Sequence, residues 1–189
     1  MPATKPPTTE LPTTDLPTTD LRGARVVLTR ATADHVPALR RILDTPAVRA
    51  YWPDVAAEDG WPVADDETVC FAVLVGGQVV GLVQYGEEHD PQYRHASIDI
   101  FLDPDVHGQG IGRDAVATLA AHLIDQRGHH RLVIDPAAGN GAAIRCYRAV
   151  GFRPVGVMRR YERDAHGEGW HDGLLMDLVA EELVRPCGS

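Results

Sequence analysis

Residues 95–124 read HASIDIFLDPDVHGQGIGRDAVATLAAHLI, and the reading of this stretch decides the fold. From His95 to Leu102 polar and apolar residues alternate as in a β-strand, and Asp103-Pro104 stops it, because the residue before a proline is restricted and the proline lacks an N–H. Beyond Gly108-Gln109-Gly110-Ile111-Gly112, the residues Ile111, Ala115, Val116, Leu119, Leu123 and Ile124 recur at helical spacing, which predicts a helix ending near Gly128. A strand, a glycine-rich turn and a helix start together offer a site that suits a phosphate. The first N–H groups of the helix have no partner, the dipole end is positive, and glycines let a ligand approach the backbone. A plain tight turn would use the same glycines, and G-x-G-x-G matches neither G-x-x-x-x-G-K-[ST] nor G-x-G-x-x-G.

Toward the C-terminus the pattern predicts a strand from Arg131 to Ile134 and a break at Asp135-Pro136. A helix follows from about Gly141 to Val150, closed by Gly151, then strands from Phe152 to Tyr161 and from Trp170 to Val179. Toward the N-terminus, Val26, Val27 and Leu28 read as a strand, and Thr32 or Asp34 can cap a helix carrying Val36, Leu39, Ile42 and Leu43 that Tyr51-Trp52-Pro53 ends. Cys70 to Val75, Gly76-Gly77 and Gln78 to Tyr85 form a hairpin, followed by a polar loop with Glu87, Glu88 and Asp90. The expected fold class is α/β, with helices around one mixed sheet of about seven strands, splayed near its centre, and a right-handed crossover.

A chain of 189 residues with 44% hydrophobic residues suits one domain. Leu-Pro-Thr-Thr-Asp occurs twice before residue 21 and offers nothing to bury. The expected organisation is a disordered tail over residues 1–20, a domain over 21–183 and a short tail over 184–189. No run approaches the roughly 20 apolar residues of a membrane span, and no secretory h-region is present, so a cytoplasmic protein without membrane contact is expected. Cys70, Cys146 and Cys187 form no C-x-x-C pair, in keeping with a reducing compartment. A formal net charge of -9 argues against nucleic acid, whose phosphates need a basic footprint, and favours a cationic small-molecule partner. The nine histidines include His129-His130 and the His166 and His171 pair. None is spaced with a carboxylate or cysteine as metal ligands are, so no metal is expected.

The glycine turn is followed, one strand and one helix later, by Asn140, Ala143-Ile144-Arg145-Cys146-Tyr147 and Gly151-Phe152. These paired motifs resemble those of the GNAT superfamily of N-acetyltransferases, over about Val26 to Val179. The resemblance implies acetyl-coenzyme A as cofactor. Its pyrophosphate would lie on the backbone at Gln109, Gly110, Ile111, Gly112 and Arg113, and its pantetheine arm beside Ile100, Phe101, Leu102, Asn140, Ala143 and Tyr147. His107, also counted among the cofactor contacts, stands where the superfamily's turn has Arg or Gln. Asn140 as a helix cap and Tyr147 as a packed core aromatic are the structural alternatives.

The series Ser97-Ile98-Asp99, Ile134-Asp135-Pro136, Ala143 to Tyr147 and Asp172-Gly173 is similar, within that superfamily, to the aminoglycoside 6'-N-acetyltransferases. This resemblance implies that Asp99, Asp135 and Asp172 face the acceptor amines, with Trp52 and Tyr85 beside them. Converging carboxylates would hold a polycationic aminosugar by charge-assisted hydrogen bonds.

The acceptor must lose a proton, since a lysine-like amine has a pKa of about 10.4. Asp99 is the candidate to take it, directly or through water. At an ordinary value near 3.9 it would be a poor base, so the role requires desolvation or a water relay. A strand N–H near Ile100 or Phe101 would steady the developing oxyanion, and Tyr147 stands at the superfamily's general-acid position. The expected reaction is direct N-acetylation, first at the 6'-amine of an aminoglycoside, in a resistance-type role. The competing readings are acetylation of a polyamine, an amino acid or a protein N-terminus, and a non-catalytic acyl-coenzyme A sensor. The chain is compatible with a monomer or a homodimer.

Overall fold

The structure is a computed structural model and describes residues 19–52, 61, 68–164 and 169–185. Two expectations lie outside them in part: the tail over residues 1–18, and the residues His166 and Cys187.

One sheet of eight strands runs in the order β1-β2-β3-β4-β5-β6-β8-β7. The strands are β1 (Leu21–Arg22), β2 (Val27–Arg30), β3 (Thr68–Val75), β4 (Gln78–Glu88), β5 (His95–Leu102), β6 (Arg131–Ile134), β7 (Arg153–Arg163) and β8 (Trp170–Val179). The helices are α1 (Val36–Leu43), α2 (Pro46–Arg49), α3 (Ile111–Asp125) and α4 (Gly141–Val150). The eighth strand is β1, two residues paired with Leu28 and Val27.

The stretch quoted at the outset folds as read. Gly110 sits at φ +81, a conformation that strains L side chains, and turns the chain into α3. On α3, Ala115, Val116, Leu119, Ala120 and Leu123 are buried on one face of the sheet with Val83, Ile98, Leu132, Met176 and Leu178. The other face is covered by α1, through Leu39, Ile42 and Leu43, packed with Cys70, Leu82 and Phe101. Each of the larger side chains among them, Val, Leu, Ile, Phe or Met, contributes about 1.5–3 kcal/mol by leaving water.

The feature that positions the site is a break in the sheet's centre. β5 pairs along its whole length with β4, Gly81 opposite Leu102 to Glu88 opposite His95. The parallel neighbours β5 and β6 pair only at Ala96 with Leu132 and Ser97 with Val133. β6 then turns to β8, where Met176 faces Ile134. Beyond Ser97 the two strands diverge, so Asp99 to Leu102 border an open wedge, as the expected splay required.

The tail boundaries need correction. Asp20 accepts a hydrogen bond from Thr29 Oγ1 at 2.7 Å, so the domain begins before Leu21. At the other end Val184 N–H donates to Val150 O at 2.9 Å, and Arg185 makes two bonds to Asp125 at 2.6 and 2.9 Å, so both residues belong to the domain. Glu87 and Glu88 are not in a loop, because β4 continues through them. Glu87 is buried with Arg127 (2.7 Å) and His129 Nε2 (2.6 Å), and His129 is itself 2% exposed. Burial opposes the charge on Glu87, but the hydrogen bonds from Arg127 and His129 hold its carboxyl below the ordinary range. No helix among the described residues is long and apolar enough to cross a membrane.

Candidate active site

Strand alternation decides which side chains reach the wedge. Ala96 and Ile98 of β5 are fully buried on the α3 face, so Ser97, Asp99 and Phe101 point to the α1 face. β6 buries Leu132 and Ile134 on the α3 face, which turns Val133 and the following Asp135 to the side of Asp99. The carboxylates of Asp99 and Asp135 therefore share one side of the opening.

Opposite Asp99 in register stands Gln84 of β4, and opposite Gln84 stands Cys70 of β3. The Cys70 thiol donates to Gln84 Oε1 at 3.5 Å. Gln84 therefore turns its amide N–H toward Asp99, to which its side chain is hydrogen-bonded. On the far side Tyr161 of β7 donates its phenol to Asp135, and that bond, with burial, pushes the phenol up to about 12. Glu162, paired with His171 at 3.6 Å, is near enough to act electrostatically on Asp99, and burial raises its carboxyl as well.

Asp99 carries the largest consequence. Desolvation first, then the like charges of Asp135 and Glu162, raise it to about 6, while the Gln84 hydrogen bond pulls the other way. A carboxylate near 6 is a far better base than one near 3.9, so the desolvation that the sequence reading required is present.

Tyr147 of α4 is 7% exposed and stacks edge-on against Phe152, with centroids 6.3 Å apart. Burial above all, then Cys146, Asp99 and Asp135, hold its phenol well above the ordinary tyrosine range, so it stays protonated beside the two carboxylates. Burial likewise pushes the Cys146 thiol up to about 11, so it is no thiolate nucleophile at neutral pH. Trp52 packs edge-on to Phe101 at 5.0 Å, on the α1 side and so on the face of Asp99.

Two expected acceptor residues lie elsewhere. Tyr85 alternates with Gln84, so it points to the α3 face, where it is 1% exposed, stacks on Phe71 at 6.4 Å and cannot meet an acceptor beside Asp99. Asp172 shares a face of β8 with Leu174 and Met176, the face opposite Asp99. Its Oδ1 accepts the N–H of Arg160 at 2.8 Å and so stabilises an irregular stretch of β7 between Met158 and Glu162. There Arg160 takes φ +50, and an open cleft of about 560 Å³ is lined by Arg159, Arg160 and Asp172. Among the described residues no group of three or more His, Cys, Asp or Glu is placed to hold a metal.

At the cofactor end, α3 begins with Ile111, Gly112 and Arg113, whose N–H groups precede the first bond, Asp114 N–H to Gly110 O at 3.1 Å. These orphan donors at the positive end of a 15-residue helix fit a pyrophosphate. Among the described residues, and apart from the two chain neighbours of Gly108, no heavy atom stands within 4 Å of where its Cβ would be, leaving room above the turn. The backbone edge of Ile100, Phe101 and Leu102 follows the wedge. Asn140 caps α4, its side chain accepting from Ala143 N–H at 3.1 Å, and Ala143 packs against the core. His107 donates from Nε2 to Leu102 O at 3.2 Å and braces the end of β5.

The acetyltransferase (GNAT) family model matches residues 36–152. The ribosomal protein bS18-alanine N-acetyltransferase of Escherichia coli is 36% identical over 83 residues, 42% of this chain and 52% of that one. The N-alpha-acetyltransferase RimI of Mycobacterium tuberculosis is 31% identical over 114 residues, 56% of this chain and 70% of that one. The chain spans only 22% and 52% of the length of the first curated relatives it matches. Among solved structures, Mycobacterium smegmatis RimJ in complex with CoA-disulfide superposes with a TM-score of 0.74 at 23% identity, over 85% of each chain.

Proposed function

Because the chain belongs to the acetyltransferase (GNAT) family, whose cofactor is acetyl-coenzyme A, we propose that it acetylates an amine by direct attack, and that the acceptor is the α-amine at a polypeptide N-terminus. The cofactor supplies an activated thioester. Everything else falls to the residues around the wedge.

The observation that carries the reading is the raised carboxyl of Asp99, beside a buried Tyr147 and on the border of the wedge. Asp99 binds the incoming ammonium and takes its proton. The cost depends on the acceptor. An α-amine with a pKa of about 8 lies about 2 units above Asp99, roughly 2.7 kcal/mol, whereas a lysine-like amine near 10.4 lies about 4.4 units above, roughly 6 kcal/mol. This base suits an α-amine. Tyr147, protonated across the working range, donates to the leaving sulfur. The two groups are coupled, since a proton gained by Asp99 removes part of the negative field that holds the Tyr147 proton. Among the described residues β5 has no strand partner on the β6 side beyond Ser97, so its backbone groups there are available to steady negative charge on the carbonyl oxygen. The names of the relatives agree, two of them being N-terminal or ribosomal-protein acetyltransferases.

A second reading, the 6'-amine of an aminoglycoside or another small polycation, draws on Asp135 and Glu162 beside Asp99, which would hold additional ammonium groups. Free-thiol release from acetyl-coenzyme A separates the readings. The panel holds short peptides with free and blocked N-termini, aminoglycosides with and without a 6'-amine, and polyamines. Turnover of peptides only when the α-amine is free is the expected result. Turnover confined to 6'-amino compounds would replace it with the second reading, and coenzyme binding without turnover on any amine would favour the sensor.

A further inference from the structure

The turn between β1 and β2 carries a cation to the phosphate end of the site. It is held there by α3. Asp114, 8% exposed in the first turn of that helix, accepts the N–H groups of Ala24 (3.1 Å), Arg25 (2.7 Å) and Val26 (3.0 Å). Gly23 makes the approach possible: a Cβ there would stand 2.6 Å from Asp114 Oδ2 and 2.5 Å from Thr118 Oγ1. Thr118 in turn donates to Asp114 O at 2.7 Å. The clamp consists of backbone donors and one carboxylate, so it leaves the Arg25 side chain unused.

That side chain lies over the glycine turn. Arg25 Nη1 donates to the Gln109 carbonyl and stands 3.5 Å from where a Gly110 Cβ would be. One of five guanidinium N–H groups is thereby committed, and the rest of the exposed fork is open beside the free N–H groups that start α3. Meanwhile the His107 ring is engaged with Leu102 O. A cation here would offset the negative charge nearby. The chain carries a formal charge of -9, and the Asp114 carboxylate opposes the roughly +0.5 charge of the helix end.

We propose that Arg25, positioned by the Asp114 clamp, is the phosphate-binding cation of the cofactor site, supplying from the β1–β2 turn the side-chain contact that His107 does not make. The proposal rests on the acetyl-coenzyme A reading above. A guanidinium can grip two phosphate oxygens at once, and an exposed pair of this kind is sensitive to salt.

The test is calorimetric binding of coenzyme A and of dephospho-coenzyme A to the full chain and to its R25Q, R25K and R25E variants at low salt. R25Q should weaken coenzyme A about tenfold, R25E more and R25K less, with Tm little changed, because the clamp uses only backbone groups of the turn and the side-chain bond to Gln109 is exposed. If Arg25 holds the 3'-phosphate, dephospho-coenzyme A binds the unaltered chain as weakly as coenzyme A binds R25Q, and R25Q weakens it no further. If it holds the pyrophosphate, R25Q weakens both ligands by one factor. Coenzyme A binding by R25Q within twofold of the unaltered chain overturns the proposal. Failure of the unaltered chain to bind coenzyme A at all overturns the cofactor reading and the proposal with it.

Discussion

The two ends of the wedge are built on different principles. The proposed phosphate end is mostly contiguous backbone, the turn from Gly108 to Gly110 and the first N–H groups of α3, to which Arg25 adds one side chain from a distant turn. The proposed acceptor end draws on side chains from elements far apart in sequence: Gln84 of β4, Asp99 of β5, Asp135 after β6, Tyr147 of α4, and Tyr161 and Glu162 of β7. A backbone site tolerates drift in its neighbours. A side-chain site made of like charges owes its chemistry to the ensemble, because Asp135 and Glu162 both raise the proton affinity of Asp99.

The sharpest way to break this contrast is D99N. Removing the base while keeping the shape should lower kcat by about 10²–10⁴-fold with coenzyme A affinity unchanged within twofold. Steady-state kinetics beside calorimetry checks it, and parallel losses in both would mean that the two ends are not separable. Y147F should follow with a smaller loss, about 10- to 100-fold in kcat, since the leaving thiolate can take a proton from water. A loss of coenzyme affinity instead would make Tyr147 a packing residue.

The coupling among carboxylates sharpens the comparison through pH. Asp99 must be ionised to act, so kcat/KM should rise through about pH 6 and level above it. In D135N a like charge is removed, the folded value for Asp99 falls, and the rise should move to lower pH. An unmoved profile would show that Asp135 does not act on the base. Stability has the opposite sign. The folded state holds the Asp99 proton more tightly than the unfolded chain, so this group's contribution declines as pH rises from about 4 to about 6. The smallest effect is expected from truncation. Removal of residues 1–18 should leave Tm and kcat unchanged, whereas extending the cut through Asp20 removes its bond to Thr29 and should lower Tm slightly. Differential scanning calorimetry on the two truncations decides it.

Legibility in the sequence followed the same division. The strand from His95 to Leu102, α3 from Ile111 and α4 from Gly141 to Val150 were readable, because periodicity, glycine and proline are local signals. Asp99 and Tyr147 were named on resemblance, and the charge of Asp99 reaches the Tyr147 phenol. Gln84 was missed, although a polar residue in the apolar run from Val79 to Tyr85, directly opposite Asp99 in a hairpin, was a usable signal. Tyr85 and Asp172 were misplaced because each is one residue off the face that was needed. Tyr161 and Glu162 were out of reach, since the irregular stretch between Met158 and Glu162 shifts the pairing of β7.

By itself the sequence determined the element order, the phosphate turn and the family, since all three rest on residues near one another in the chain. Only the tertiary structure decided which carboxylates share a pocket, what raises Asp99, and that Asp114 brings Arg25 to the glycine turn. Those outcomes depend on strand register, on the point where β5 and β6 part and on burial, which are properties of contacts between distant segments and carry no local signature.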